Sequence, residues 1–508
     1  MAPPRYACGM ELSSQGAGIG FLDLDAGEFT SRKLSYQDSF GDEYPLAGGV
    51  IRKENDVVHV PQTMMLEAVD RLLETTVPDK FLENTVVYKA DCMQHAQRFT
   101  RGLNLGLGKM DPSKTIAANL APYNTRETAP IWEDRSTQHE VDYLNRALER
   151  QGTDMKALTA NPTELRFPAA QILKWVLEAP EEYRNTTEIR ALSAGVSAIL
   201  TGRVVDTDTG DGWGTNLNTR NINNPGFSRI ITDVIDSNLM PKLGGMIQYD
   251  QRVGKVSRYL VDRFHANPDA VVLAGTGDNP AYLLDFFISA GTSWTLNGGL
   301  PDVATSSGED NIFGCKPGRA MSLVCFTNGG RLHDDFRQRY ADGSWEKYHD
   351  LGAKAEPWKR LMLPYKFAES VPRRSAGIVR EEGFDDVNPG ENIRALYDSM
   401  VASARIHSGH MQIPDSIWVL GGGGKSPLLL QAVADAFGKP AKTMAEYKDA
   451  AIFGNCLAGA ADALNISYSD AVRTFVKELP VAEARPRGNP EKVADALRRY
   501  KHLETSTA

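Results

Sequence analysis

Three short segments bring together residue types that could do chemistry. Gly275-Thr276-Gly277-Asp278-Asn279-Pro280 follows an apolar run, Ala270–Ala274, so a carboxylate is delivered on a glycine-flanked turn where a strand ends. Open α/β sheets bind ligands at the carboxyl ends of their strands. A carboxylate there can take a proton from an attacking hydroxyl, while the neighbouring amide donates to a substrate oxygen. An Asx-turn or helix N-cap uses the same residues, and on spacing alone the cap is slightly ahead. Gln94-His95 closes a second strand, read over Asn84–Ala90. A lone histidine is more often a satisfied structural residue than a catalytic one. It has no nearby cysteine, serine-nucleophile motif or second histidine at ligand spacing, so zinc chemistry and a hydrolase triad are unsupported.

The third segment is Gly421-Gly422-Gly423-Gly424-Lys425-Ser426, which looks like the end of the phosphate loop G-x-x-x-x-G-K-[ST]. That motif needs glycine at position 419, where Val419 stands; Gly108-Lys109 fails likewise at Leu103. A Walker cradle is excluded. A strand, Ile417–Leu420, running straight into four glycines still lets backbone approach a flat or anionic ligand closely.

These segments need elements to hold them. The chain opens as a meander: strands over Arg5–Leu12, Ile19–Asp25 and Glu28–Ser35, with small-residue turns at Ser13–Gly18 and Ala26-Gly27. A helix over 63–76 places Leu66, Val69, Leu72 and Leu73 on one face, and further helices are read at 137–150 and 168–178. A strand and helix at 186–201 precede a polar, glycine-rich loop, Asp206–Asn224. The pattern restarts near residue 269, with a helix through 281–287, strands Phe286–Ala290 and Trp294–Asn297, and the turn Gly291-Thr292-Ser293 between these strands. Strand, small polar turn, strand thus occurs twice, about half the chain apart, which two similar α/β domains would explain as well as coincidence would. A helix follows the glycines at 428–437; Asn489-Pro490 caps a terminal helix with Val493, Leu497 and Tyr500 on one face, and 503–508 are expected to fray.

Composition narrows the class. The 508 residues are 42% hydrophobic and 24% charged, ordinary for a globular protein of several domains. A net charge of −9 argues against a general nucleic-acid binder, which needs a basic stripe. The five cysteines are scattered without C-x-x-C, which points to a reducing compartment. The amino terminus shows no secretory signal, and the longest apolar stretch, residues 191–202, is too short to span a bilayer. A cytoplasmic protein with no membrane partner is expected.

Taken in order, the segments resemble the FGGY family of carbohydrate kinases, of the sugar kinase/actin superfamily, and within it the xylulose kinases of eukaryotic type. The likeness runs from Gly9-Met10-Glu11-Leu12-Ser13-Ser14-Gln15 through Met93-Gln94-His95, Pro130-Ile131-Trp132-Glu133-Asp134, Leu165-Arg166-Phe167 and Asp211-Gly212-Trp213-Gly214-Thr215-Asn216-Leu217. It continues through Gly277-Asp278-Asn279-Pro280, Gly291-Thr292-Ser293, Cys325-Phe326-Thr327-Asn328-Gly329 and Gly421-Gly422. The resemblance implies an α/β fold of two RNase H-like domains around a deep cleft: a sugar-binding domain over 1–267, an ATP-binding domain over 268–480, and a terminal helix and tail over 481–508. It implies an ATP- and Mg²⁺-dependent ketose kinase, with D-xylulose the first choice of substrate and ribulose, another ketose or a polyol as alternatives. A family member that binds sugar or nucleotide with little turnover is the other alternative. By the same resemblance Gln94, His95, Arg166, Asp278 and Asn279 face the sugar, with Asp278 as general base. Ser13, Ser14, Thr292 and Ser293 form two phosphate loops; Trp345, Gly421, Gly422 and Lys425 lie around the nucleotide, and Glu11 stands by the metal. A homodimer is unremarkable for the family. The chain departs from the family pattern at three places: Glu11 replaces aspartate, Ala96-Gln97 follows the histidine in place of glycine, and Trp294 replaces aspartate after Gly-Thr-Ser.

Overall fold

The computed structural model describes residues 3–281, 286–300, 303, 309–315, 319–444, 449–476 and 480–506. Packing groups the chain into two units, one of Met1–Leu283, Ile312–Ala320 and Asp449–Lys477, the other of Leu284–Asn311, Met321–Lys448 and Glu478–Ala508. Packing units need not follow sequence segments, and the first of these is assembled from three stretches of chain.

The first unit is built on a sheet in the order Arg252–Lys255, Val271–Leu273, Thr85–Cys92, Tyr6–Leu12, Gly16–Asp23, Phe29–Ser35. Tyr6–Leu12 and its two successors pair antiparallel, Thr85–Cys92 lies parallel to both Tyr6–Leu12 and Val271–Leu273, and Arg252–Lys255 is antiparallel at the edge. The central strands are almost wholly buried, as expected of parallel strands covered on both faces. One cover is the helix Ala450–Leu464. A Cβ on Gly9 would sit 2.2 Å from the Ile452 carbonyl oxygen, so only glycine lets helix and strand approach this closely. Helix Gln62–Thr76 buries Leu66, Val69, Leu72 and Leu73, the face read from the sequence.

The second unit repeats the plan. Its sheet runs Arg319–Phe326, Trp294–Leu300, Phe286–Ala290, Ile417–Leu420, Ala441–Met444, Pro480–Ala484. Phe286–Ala290 pairs antiparallel with Trp294–Leu300 and parallel with Ile417–Leu420, which is parallel to Ala441–Met444, and Pro480–Ala484 is antiparallel at the edge. The two hairpin turns seen in the sequence therefore occupy the same place in two copies of one topology. One detail differs: the last two strands are met in opposite chain order, edge first in the first unit and edge last in the second.

Several readings change. The loop Asp206–Asn224 contains two helical turns, Thr209–Gly212 and Trp213–Thr215, because Asp208 caps the first by accepting from the Asp211 N–H at 2.9 Å. The helix read through 281–287 is helical only over Asp278–Ala281; residues 282–285 lie outside the described residues, and Phe286 begins a strand. The terminal helix does not fray at 503: it runs Pro490–Ser506, since Tyr500 and Glu504 are buried and Glu504 accepts from the Tyr365 hydroxyl at 3.3 Å. Among the described residues no helix is long and apolar enough to cross a membrane.

Candidate active site

In the first unit the short strand Thr276–Gly277 extends the sheet beside the end of Thr85–Cys92, pairing Thr276 with Asp91 and Gly277 with Cys92. Asp278 follows directly. Its Oδ1 accepts from the Asn279 backbone at 2.8 Å and from Asn279 Nδ2 at 3.0 Å, so the two residues form one unit. Burial pushes the Asp278 pKa up to about 7, and the nearby charge of Glu11 adds to the shift. A Cβ on Gly277 would lie 2.0 Å from Gln94 Oε1, so any larger residue there displaces the Gln94 amide. Gln94 in turn donates to the Gly210 carbonyl at 3.0 Å and to Asp211 Oδ1 at 3.2 Å.

His95 occupies the turn after the strand ends at Cys92, with a left-handed φ of 73° that β-carbon residues seldom adopt. Its Nδ1 lies 2.7 Å from the Gly214 carbonyl, which can only accept, so Nδ1 carries the proton. Burial, then the Arg166 charge, holds the ring's pKa well below its ordinary value. His95 is therefore a neutral imidazole whose Nε2 is an acceptor. Phe167 packs on it at 4.3 Å between ring centres and Phe313 at 6.1 Å. Gly214 carries no side chain for a reason: a Cβ there would meet Phe313, Gln94 and His95 within 3.1 Å. The loop is pinned by Asn161, which donates to the Trp213 and Ile312 carbonyls at 2.8 and 2.9 Å. Arg166 sits partly buried in the turn ahead of helix Pro168–Glu178.

Around Asp278 the fold gathers carboxylates that the sequence reading gave no role. Burial raises Asp91, with Glu11, Asp278 and Asp211 adding, and burial also raises Asp211, with Asp208 and Asp278 adding. Asp91 accepts from Asn455, and Asp211 from Ser193. Lys89 is the buried cation among them. It donates to the carbonyls of Tyr249 at 2.7 Å and Ala274 at 2.8 Å, and burial lowers its pKa to about 8 against the pull of Asp208, Asp250 and Asp91.

Glu11 ends the first strand, partly exposed, with Lys33 Nζ 3.8 Å from its Oε2; Lys33 also pairs with Asp449. Burial raises the Glu11 pKa, Lys33 opposes it and Asp449 adds to it. Among the described residues no group of three His, Cys, Asp or Glu side chains could cage a metal. Glu11, one carboxylate at the end of a strand, is the donor type through which Mg²⁺ binds while keeping most of its waters. In the turn beyond, Ser13 Oγ and N–H both donate to the Gly16 carbonyl at 2.9 Å, while Ser14 receives the Trp132 indole N–H at 3.5 Å.

The second unit has a pocket of about 610 Å³ walled by the turn Gly291-Thr292, by Trp345 and by Gly422, Gly423 and Lys425. Thr292, Trp345, Gly422 and Lys425 are brought together on this wall, whereas Ser293 and Gly421 lie off it. Gly421 is nevertheless needed, at φ 78°. The turn is clamped from behind: the Gly330 N–H donates to the Gly291 carbonyl at 2.9 Å, and a Cβ on Gly329 would lie 2.6 Å from the Trp294 nitrogen. Trp345 is 44% exposed, with the Arg337 guanidinium 4.8 Å from its ring centre. Trp294 is buried and lies flat on His333, their ring centres 5.8 Å apart. Burial drops the His333 pKa to about 3. His333, Asp334, His349 and Tyr397 also line the pocket, and no motif announced them.

Residues 332–463 match the FGGY family of carbohydrate kinases, C-terminal domain. A xylulose kinase of Rattus norvegicus is 28% identical, over 98% of this chain and 96% of its own length. Residues 332–463 thus carry the C-terminal domain of that family, and over nearly its whole length the chain is similar to a xylulose kinase. Among solved structures, a xyloylose kinase from Brucella ovis aligns at TM-score 0.79 with 16% identity and covers 99% of both chains. A gluconate kinase from Lactobacillus acidophilus aligns at 0.78 with 17% identity, over 99% of this chain and 98% of its own. The two are equally similar in fold and differ in named sugar, so the fold assigns the family's architecture and not the acceptor.

Proposed function

We propose that this carbohydrate kinase phosphorylates the terminal hydroxyl of an open-chain ketose with ATP, and that D-xylulose is the ketose, giving D-xylulose 5-phosphate and ADP. The observation that carries this reading is Asp278: a carboxylate at a strand end with a pKa of about 7, backed by Asn279 and beside a neutral His95. A base poised near the working pH is what proton removal from an alcohol requires. In this reading Asp278 takes the proton as the hydroxyl oxygen bonds to the γ-phosphorus, and the bond from that phosphorus to the ADP oxygen breaks. His95 Nε2 accepts from a sugar hydroxyl, Gln94 and Asn279 orient the chain, and Arg166 supplies donors. Thr292, Gly422 and Lys425 hold the nucleotide with Trp345 against its base; Ser13, Ser14 and Ser293 belong to the loops that flank the phosphates. Magnesium bound near Glu11 supplies neutralisation of phosphate charge. The full-length likeness to proteins named xylulose kinase supports the choice of sugar.

ADP release measured with D-xylulose, D-ribulose, glycerol and no sugar tests the proposal. D-Xylulose should lead: glycerol lacks hydroxyls that the site would hydrogen-bond, a loss worth as much as about 10⁴-fold, and D-ribulose, the C3 epimer, turns one hydroxyl away from its partner. Equal kcat/KM for the two pentuloses, or preference for the polyol, overturns the sugar and leaves the kinase. No turnover with any acceptor, alongside measurable binding, overturns catalysis.

A further inference from the structure

Strands Gln97–Thr100 and Glu188–Ala191 form a two-stranded antiparallel ribbon in the first unit, and its register sets Arg98 directly opposite Arg190. Like charges facing each other across a strand pair are destabilising. Both side chains line one narrow gap, shared with Thr100, Leu103 and the small residues Ala194, Gly195 and Ala198 of helix Leu192–Thr201. Arg190 is provided for: Nη1 donates to the Ile189 and Lys242 carbonyls at 3.0 and 2.6 Å, and Asp206 Oδ1 lies 3.4 Å from Nε. Arg98 is not. It is 3% exposed, and none of its three guanidinium nitrogens has a hydrogen-bond partner among the described residues. Its pKa falls to about 10 through burial alone, with no carboxylate acting on it. Thr100, the remaining polar neighbour, donates its hydroxyl elsewhere, to Glu188 at 3.2 Å.

A fully buried guanidinium cannot shed its charge, and a fold does not bury such a group without a counter-charge or a full set of acceptors. The gap beside it has about 10 Å³ of free space, the scale of a single water-sized particle. We propose that this gap is a binding site for one small inorganic anion, chloride in kind, held between Arg98 and Arg190. Sulfate, phosphate or a sugar phosphate is too large for the space. The anion cancels the facing charges and so fixes the ribbon, whose first strand begins two residues after His95.

The test uses the whole chain. Thermal unfolding is followed in potassium chloride, bromide and methanesulfonate at equal ionic strength, methanesulfonate being too large to enter the gap and unlike a sugar. The wild type should gain about 2–4 °C per tenfold rise in chloride or bromide and nothing in methanesulfonate. Crystals containing bromide should show an anomalous peak in hydrogen-bond range of the Arg98 guanidinium. Arg98→Met should abolish the anion-specific gain, and Arg190→Met should weaken it. Equal unfolding temperatures for the wild type in all three salts, or bromide crystals with only water beside Arg98, would overturn the proposal, and neither result depends on a variant folding.

Discussion

The two units share one sheet plan and place a small-residue turn at the same point of it, yet the turns face different chemistry. Beside Ser13-Ser14 stand the partly exposed Glu11, paired with Lys33, and the buried Asp91, Asp211 and Asp278, acids that raise one another's proton affinity with Lys89 buried among them. Beside Thr292 stand Trp294, His333, Trp345, His349 and Tyr397, an aromatic wall in which burial drives the His333 pKa down to about 3. Backbone topology has been duplicated without duplicating function. One copy holds protons near neutrality, and the other offers flat apolar surface. Glycine supports both turns through different contacts: a Cβ on Gly49 would lie 2.8 Å from the Ser14 carbonyl oxygen, and one on Gly329 would lie 2.6 Å from the Trp294 nitrogen.

The proton-handling half should break most completely at Asp278. Asp278→Asn is isosteric and keeps the partnership with Asn279, so sugar binding by calorimetry should change little while kcat falls roughly 10²–10⁴-fold. Retention of near-normal kcat would move the base elsewhere. Glu11→Gln comes next: losing the carboxylate should lower turnover by roughly 10²-fold, the usual worth of one well-placed electrostatic group, and alter the Mg²⁺ dependence. Glu11→Asp should stay active. Because the Glu11 charge helps raise Asp278, the residual activity of Glu11→Gln should have its acidic limb at lower pH than the wild type. An unmoved limb would disconnect the two groups.

The wild-type pH profile is the third measurement. Asp278 acts as a base only when ionised, and its pKa is raised to about 7, so kcat/KM should rise about tenfold per pH unit below 7 and flatten above it. A profile flat down to pH 5 would contradict a buried, raised carboxylate. The aromatic half should give the smallest and most selective effect. Trp345→Ala should raise KM for ATP by about tenfold, the scale of one aromatic contact, with the sugar KM and the pH profile unchanged. A change in the pH profile would mean that the two halves are not chemically separate.

Much of this was legible in the sequence. The hairpins, the strand into Gly275-Thr276-Gly277, the lone His95 and the glycine run all rest on local rules, namely period-two apolar patterning and turn chemistry. The carboxylate cluster was not. Asp91, Asp208 and Asp211 reach Asp278 from positions far apart in the chain, and burial of like charges leaves no periodic trace. Lys89 sits in an otherwise apolar strand and would be read as a solvated residue. The aromatic wall escaped for a similar reason, because His333, His349 and Tyr397 come from three helices whose patterns speak only of a buried face. Trp294 looked like a lost acid and proves to be a packed wall element.

The composition of the first unit also dictates when it can exist. Its central strands Tyr6–Leu12 and Thr85–Cys92 are covered by helix Ala450–Leu464, where Asn455 donates to the Met10 carbonyl at 3.1 Å and to Asp91. During synthesis the first 283 residues therefore leave the ribosome long before the helix that seals their sheet, and the strands bearing Glu11 and Asp91 wait with an apolar face open. Most of the second unit's sheet is made in the meantime. A chain stopped after the first unit's opening segment would keep Glu11, Asp91 and Asp278 and lack the helix over their sheet, so this half can close only once residue 464 has emerged, with the second unit's edge strand Pro480–Ala484 and terminal helix still to follow.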